Sequence, residues 1–336
     1  MTTSNQAWPS WPVYGLVDDI VPIMLRCAAD QEPFALATVV KVVGSSPRRM
    51  GSEMLITARG EVYGYVSGGC IEAAVAEEAR QCLNDRLPRM LVYGEGSPHI
   101  DIQLTCGGRI EVFVRCVEAG SQWLSCLAAA RAGRYALEVS TNLRTGEMVV
   151  VGEDWPASIG YRCRYTPPTR LVLIGGDPVT LATAMLASHM GMEVVLWRHH
   201  GPAELPHQVS VSTYLAGSLY EGLGSLKIDE FTAVYCLTHD LHLDVLALEQ
   251  ALPSSAFCVG VLGSRSKREA RAQALQAHGV SRLSLSRLRS PAGIAIEAKT
   301  PHEIALSILA EVVSLSRSEA HGLFDQETSE PMRLAV

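Results

Sequence analysis

The feature that most constrains the fold lies in the second half of the chain, where an apolar segment, a glycine turn and a helical segment follow one another. Residues 171–174 read Leu-Val-Leu-Ile, which is typical of a strand buried on both faces. After the turn at 175–178, the pattern predicts a helix over 179–190 and a second strand over 193–197. A crossover helix between two such strands favours a parallel sheet.

The same alternation continues to residue 315. The further predicted strands and helices are 233–237, 245–252, 257–262, 267–278 and 301–314. Because strands that alternate with helices build open sheets covered on both faces, residues 170–315 are predicted to form a Rossmann-like, doubly wound parallel sheet.

The first half has shorter strands and a different order of elements. Its predicted strands are 34–43, 54–57, 62–66, 109–116, 135–140 and 147–151, and its predicted helices are 71–83 and 121–134. This pattern predicts a mixed α/β domain over residues 34–151. The rest of the chain is interpreted as an N-terminal extension with a helix (1–33), a turn-rich interdomain connection (152–169) and a polar tail (316–336).

Composition argues against several classes of function. The net charge is -7 and aromatic residues make up 6% of the chain, so no positive field or stacking surface favours nucleic acid or an anionic membrane. The nine cysteines include no C-x-x-C pair, which argues against a disulfide framework and a structural zinc site. Asp18 and Asp19 lie where a signal peptide would be apolar, so we expect a cytoplasmic protein.

Glycine turns supply the candidate binding sites of the first half. The loop 44–48 (Gly-Ser-Ser-Pro-Arg) combines hydroxyls with a guanidinium that can hold an anion by forked hydrogen bonds, or it is an ordinary exposed turn. The turn 67–70 (Ser-Gly-Gly-Cys) leads into a helix and would offer free backbone N–H groups to a phosphate or carboxylate, or it is only a connection. The segment 106–108 (Cys-Gly-Gly) has a similar setting before a strand.

In the second half, polar turns follow the predicted parallel strands, where open α/β sheets bind their ligands. Gly175 and Gly176 begin a turn that departs from the dinucleotide pattern, because Asp177 occupies the position of the second glycine and would face a pyrophosphate. The acidic residue that usually binds a ribose is missing after Trp197, where Arg198 follows. Ordinary NAD(P) binding is therefore not expected.

Taken together, these motifs resemble the XdhC/CoxI family, whose members mature molybdenum hydroxylases of the xanthine dehydrogenase type. The resemblance covers about residues 34–315 and rests on ordered motifs. They are 37–40 with 44–48, 66–72 (Val-Ser-Gly-Gly-Cys-Ile-Glu), 104–108, 238–240 (Thr-His-Asp), 259–265 and 298–305.

The resemblance implies a maturation chaperone rather than an enzyme. Such a protein would bind molybdenum cofactor, as molybdopterin or its cytosine dinucleotide, protect it during sulfuration and insert it into an apo-hydroxylase. The implied partners are the large subunit of that hydroxylase, a cysteine desulfurase-type sulfurase, a cytidylyltransferase and a second copy of the chain in a homodimer, with no nucleic acid and no membrane. The added nucleotide phosphate would need its own anchor, for which Arg198, Arg265 and the loops of the first half are candidates.

The candidate site residues follow from the motifs and the resemblance together. For cofactor binding they are Gly44, Ser45, Ser46, Pro47, Arg48, Ser67, Gly68, Gly69, Cys70, Cys106, Gly107, Gly108, Gly175, Gly176, His239, Asp240, Gly263, Ser264 and Arg265. Cys70 and Cys106 are also candidate contacts to molybdenum or its sulfur ligands, because thiolates are soft ligands. Two alternatives remain, an NAD(P)-dependent oxidoreductase that uses the Rossmann-like half and a structural adaptor of the hydroxylase complex.

Overall fold

The computed structural model describes residues 8–94, 107–151, 160–219, 224, 226–263 and 267–321, with side chains up to residue 316. The chain divides into two compact units, Met1–Pro167 and Pro168–Val336. No helix in these described ranges is both long and apolar enough to cross a bilayer.

The first unit contains a five-stranded antiparallel sheet and a smaller three-stranded one. Its helices are α1 (Val21–Ala29), α2 (Glu72–Asp85) and α3 (Gln122–Gly133), and its strands are β1 (Phe34–Val43), β2 (Glu53–Thr57), β3 (Val62–Gly64), β4 (Arg89–Gly94), β5 (Arg109–Val117), β6 (Leu137–Thr141), β7 (Met148–Val150) and β8 (Tyr161–Tyr165). The strand orders are β3-β2-β1-β5-β4 and β7-β6-β8. The predicted mixed α/β fold of this half is confirmed.

The large sheet is covered on both faces, so β1 is buried on both sides. Ala35 and Ala37 pack with Val75 of α2 in one core, whereas Phe34 and Leu36 belong to a second core with α1 and α3. The period-2 alternation of a strand sends neighbouring residues to opposite faces. This burial explains why the segment is almost continuously apolar.

Part of the predicted connection 152–169 is corrected by the structure. Residues 161–165 form β8, which pairs antiparallel with β6, and the division between the units falls after Pro167. In the sequence Tyr-Arg-Cys-Arg-Tyr every second residue is suited to burial, and Tyr165 packs in the core with α1 and α3. Flanking prolines and glycines obscured this short strand.

The second unit is a six-stranded parallel sheet with helices on both faces. Its strands are β9 (Arg170–Gly175), β10 (Glu193–Trp197), β11 (Thr213–Leu215), β12 (Thr232–Leu237), β13 (Cys258–Val261) and β14 (Leu288–Arg289), and its helices are α4 (Pro178–His189), α5 (Leu241–Ala251), α6 (Arg268–Ala277), α7 (Arg282–Ser286) and α8 (Pro301–His321). The strand order is β11-β10-β9-β12-β13-β14. Helix α8 extends into the predicted polar tail, because residues 316–321 are helical.

Two separate cores confirm the doubly wound arrangement. On one face Val172 and Ile174 pack with Leu248 of α5, and on the other Leu171 packs with α4 and with Leu309 of α8. The strand order reverses between β9 and β12, so the crevice beside their carboxyl ends is the usual ligand position of such a sheet.

Candidate functional site

Three predicted turns of the first unit meet at one edge of the large sheet. Strands β1 and β3 both lie antiparallel to β2 and therefore end at the same edge, where the antiparallel strand β5 begins. The 44–48 loop, the 67–70 turn and the 107–108 turn are consequently neighbours. The topology alone thus gathers motifs that are far apart in sequence.

Close backbone approach ties the three turns together. A Cβ atom at Gly108 would overlap with the carbonyl oxygen of Ser45, and one at Gly68 would lie 3.6 Å from Pro47 Cγ. Gly69 (φ +101°) and Gly107 (φ +69°) have left-handed backbones, and a Cβ there would meet no atom within 4 Å among the described residues. The close approach of the Ser45 carbonyl thus requires glycine at position 108, whereas no described atom crowds Gly69 or Gly107.

Arg48 is held against an aromatic ring. Its Cζ lies 4.0 Å from the ring centroid of Tyr65, in cation–π geometry. The loop is shaped by Ser46, whose Oγ donates to the Arg48 carbonyl at 2.7 Å and accepts from the Arg48 N–H at 3.3 Å. The Arg48 Nε is buried and makes no hydrogen bond to the part of the chain that the structure describes. The Arg48 guanidinium is therefore held in position by the Tyr65 ring. The sequence alone did not indicate this role of Tyr65.

The 67–70 turn is organised by the carboxylate of Glu72, the last residue of the motif 66–72. Glu72 is fully buried and accepts from the Ser67 N–H at 2.7 Å, from the Ser67 Oγ at 2.9 Å and from the Ile71 N–H at 3.2 Å. The expectation of free backbone N–H groups in this turn is therefore wrong at Ser67, and the N–H of Ile71, the next residue after the turn, is also hydrogen-bonded. The turn presents Gly68, Gly69 and Cys70 to solvent.

The second unit brings Gly175, Gly176 and His239 together at the carboxyl edge of its sheet. A Cβ at Gly175 would lie 2.7 Å from the carbonyl oxygen of Leu237, the last residue of β12. His239 has a left-handed backbone (φ +60°), and its Nε2 lies 2.9 Å from Asp177 Oδ2.

Asp177 does not project freely toward a ligand, as the sequence suggested, but caps α4. Its Oδ1 accepts from the Thr180 N–H at 2.8 Å and the Thr180 hydroxyl at 2.5 Å. Burial on its own raises the pKa of Asp177, but hydrogen bonds from Thr180 and His239 outweigh it and hold the pKa below the ordinary value. Asp240 likewise caps α5 by accepting from the His242 N–H at 2.8 Å.

A buried ion pair lies beside the end of β13. Arg271 Nη2 and Asp244 Oδ2 are 2.9 Å apart, and both residues are almost fully buried. Burial raises the pKa of Asp244 against the opposing effects of Thr238 and Arg271. A Cβ at Gly263 would lie 3.1 Å from Arg271 Nη2, so this glycine makes room for the arginine. A separation of 27 residues hides this pair from local sequence patterns.

A cavity of about 160 Å³ adjoins this pair. Its lining includes His239, Leu241, Leu262, Gly263, Lys267 and Arg271. The predicted residues Cys106, Ser264 and Arg265 lie outside the described residues. Within the described ranges, no cluster of three or more His, Cys, Asp or Glu side chains could hold a metal ion.

Comparisons with known proteins agree with the two-unit organisation. The family model described as XdhC and CoxI family matches residues 27–94, which include the 44–48 loop and the 67–70 turn. The model described as XdhC Rossmann domain matches residues 171–312. A crystal structure of a xanthine dehydrogenase from Bacillus halodurans has a similar fold, with a TM-score of 0.72 at 23% identity over 93% of this chain and 98% of that chain.

Two curated relatives extend over most of the sequence. A protein of Bacillus subtilis (strain 168), named as a probable subunit of xanthine dehydrogenase, is 25% identical over 333 positions, covering 87% of this chain and 96% of that protein. The molybdenum cofactor insertion chaperone PaoD of Escherichia coli (strain K12) is 32% identical over 291 positions, covering 83% of this chain and 82% of that protein. With this identity over most of both chains, and with both family models matched in order, the chain belongs to the XdhC and CoxI family.

Proposed function

We propose that this protein is a maturation chaperone that binds molybdenum cofactor and transfers it to an apo molybdenum hydroxylase. The observation that carries the proposal is the meeting of the Arg48 loop, the Cys70 turn and the Gly107-Gly108 turn at one sheet edge. The similarity to PaoD, which is named as such a chaperone, supports it.

The chemistry of these residues fits the cargo. Arg48 presents a fixed guanidinium, which matches the oxygens of the cofactor's phosphate. Cys70 is exposed and supplies a soft sulfur donor for molybdenum or its sulfur ligands. No described atom crowds Gly69 or Gly107, which would leave room for a flat pterin against the backbone. The protein's own part is to bind, orient and shield, and we propose no catalytic residue.

The finer assignments extend this proposal. The cargo is molybdopterin or its cytosine dinucleotide, held while a cysteine desulfurase-type sulfurase supplies the terminal sulfur. The receiving partner is the large subunit of a hydroxylase of the xanthine dehydrogenase type, and a cytidylyltransferase supplies the dinucleotide form. We further propose a cytoplasmic homodimer.

The alternative of an NAD(P)-dependent oxidoreductase has less support. A dinucleotide would place its pyrophosphate at the start of α4. The carboxylate of Asp177 already accepts from the Thr180 N–H there, and it would repel a second anion. This geometry argues against dinucleotide binding at α4, and therefore against hydride transfer from NAD(P)H.

The proposal is tested by measuring molybdenum and pterin in protein purified anaerobically from a host that makes the cofactor. Arg48→Gln and Cys70→Ala are compared with two matched controls of the same unit. Arg26→Gln removes another arginine that stacks on a tyrosine, with 5.5 Å between Arg26 Cζ and the Tyr63 ring centroid. Cys126→Ala removes a half-buried thiol of α3.

We expect near-equal amounts of molybdenum and pterin in the wild type and in both controls, with clear losses in the two site variants. Equal retention in all four variants would remove the assignment of the site. A folded wild type that carries neither molybdenum nor pterin would overturn the proposed function.

A further inference from the structure

The usual anion position of the second unit is occupied by the chain itself. In a doubly wound sheet, a ligand phosphate lies at the crevice where the strand order reverses, which here separates β9 from β12. The Asp177 carboxylate and the His239 ring span this crevice at 2.9 Å. A phosphate bound to this unit therefore needs another partner nearby.

Arg198 lies beside the same turn and follows β10 directly. Its side chain passes between two glycines that belong to different segments. A Cβ at Gly176 would lie 2.6 Å from both Cδ and Nε of Arg198, and one at Gly201 would lie 2.7 Å from its Cγ. The arginine backbone is fixed as well, because its N–H donates to the Leu215 carbonyl at 2.9 Å.

The guanidinium of Arg198 is exposed, and no described residue forms an ion pair or a side-chain hydrogen bond with it. Two other arginines of this unit are engaged. Arg170 Nη2 lies 2.8 Å from Glu193 Oε1, and Arg271 is paired with Asp244. A guanidinium whose stem is held by two glycines keeps its donors available and loses little further freedom on binding.

We propose that Arg198, seated between Gly176 and Gly201, binds the phosphate group of a phosphate monoester ligand at the carboxyl edge of the parallel sheet. The planar fork of arginine matches two phosphate oxygens at once. In this fold, an arginine after the second strand binds a phosphate on the ribose, whereas an acidic residue binds the bare hydroxyls. The proposal concerns the second unit and does not depend on cofactor carriage by the first.

The test is a ³¹P NMR titration of the full chain with adenosine 2′,5′-bisphosphate, whose two phosphates give separate signals, and with adenosine 5′-monophosphate, which lacks the 2′-phosphate, as the control. Three variants are compared. Arg198→Gln removes the guanidinium. Gly176→Ala keeps the charge but adds a methyl group that displaces the arginine from its seat. Arg282→Gln removes an equal charge on α7, before β14 and therefore toward the opposite edge of the sheet.

We expect wild type and Arg282→Gln to bind the bisphosphate equally, with one phosphate signal shifted more than the other. Arg198→Gln and Gly176→Ala should each weaken binding by about tenfold or more, since tenfold is the lower limit for the loss of one charge-assisted hydrogen bond. Absence of binding to the wild type, unchanged binding by Arg198→Gln, or equal weakening by Arg282→Gln would each overturn the proposal. If Gly176→Ala does not fold, the comparison of Arg198→Gln with Arg282→Gln still tests the proposal.

Discussion

Replacement of Glu72 by glutamine tests whether the 67–70 turn depends on a buried carboxylate. Both carboxylate oxygens accept hydrogen bonds, from the Ser67 N–H at 2.7 Å and the Ile71 N–H at 3.2 Å, and the Ser67 hydroxyl bridges them. A glutamine keeps one acceptor oxygen and turns an NH₂ group toward the other N–H donor. One charge-assisted hydrogen bond is lost and a buried donor is left without an acceptor.

The expected cost follows from these two losses. A hydrogen bond to a charged group contributes about 1.5–3 kcal/mol, and an unsatisfied buried donor costs about 1–3 kcal/mol, so the free energy of unfolding should fall by about 3 kcal/mol. For a unit of this size, that is a decrease of about 6–12 °C in the midpoint of its transition. Differential scanning calorimetry of the full chain measures it.

Glu77→Gln is the matched control for this experiment. Glu77 lies on the same helix, and its exposed carboxylate pairs with Arg80 at 2.7 Å. Surface pairs of this kind contribute about 0–1 kcal/mol, so the control should remain close to the wild type. A Glu72→Gln transition within about 1 °C of that of the control would refute the structural role of the buried carboxylate.

Three further outcomes follow from the geometry. Gly108→Ala should lower the free energy of unfolding of the first unit by about 3 kcal/mol in urea denaturation, because its methyl group would overlap with the Ser45 carbonyl. In Gly107→Ala the methyl group meets no described atom within 4 Å, so this variant should cost only about 1 kcal/mol for its left-handed backbone. Equal costs of the two variants would contradict this reasoning. Arg271→Met should lower the free energy of unfolding by about 3–5 kcal/mol, because it leaves the Asp244 carboxylate buried and unpaired. Adding Asp244→Leu to the same chain should restore part of that stability, and a double-mutant cycle would measure the difference. Since the folded-state pKa of Asp177 lies below the ordinary value of 3.8, its contribution to stability is fully present above pH 3.8 and is lost as pH falls through the folded-state pKa. Asp177→Asn should flatten this acid part of the stability profile, as urea denaturation at a series of pH values would measure.

The sequence predicted the elements whose signals are local. The apolar run 171–174 with its glycine turn indicated β9 and α4, and the motif 67–70 correctly preceded α2. Asp177 also carried a readable signal, because an aspartate before proline is typical of a helix N-cap with proline at the first helical position. Its partner His239 is 62 residues away and became visible only in the folded sheet.

Other features depended on register and burial rather than on local pattern. Strand β5 pairs with β1 in a register that sets Val43 opposite Arg109. This register brings the Ser45 carbonyl against Gly108, so no side chain fits at position 108. The role of Glu72 required knowledge that Ser67 is buried beside it, since a glutamate near a helix start is usually solvated. Whether the predicted site residues hold the cofactor stays a prediction.

The two units share one arrangement around their glycine turns. In each unit a carboxylate of the chain, Glu72 or Asp177, takes backbone N–H donors that a glycine turn would otherwise offer to an anion. In each, an arginine held in place nearby, Arg48 on Tyr65 or Arg198 between glycines, offers its donors instead. A side-chain contact of this kind contributes about 1.5–3 kcal/mol and weakens with salt, so a ligand bound as we propose would be held by modest, separable interactions. That strength would suit the proposed carrier role, because a receiving enzyme that encloses the phosphate with more donors could withdraw it without unfolding either turn.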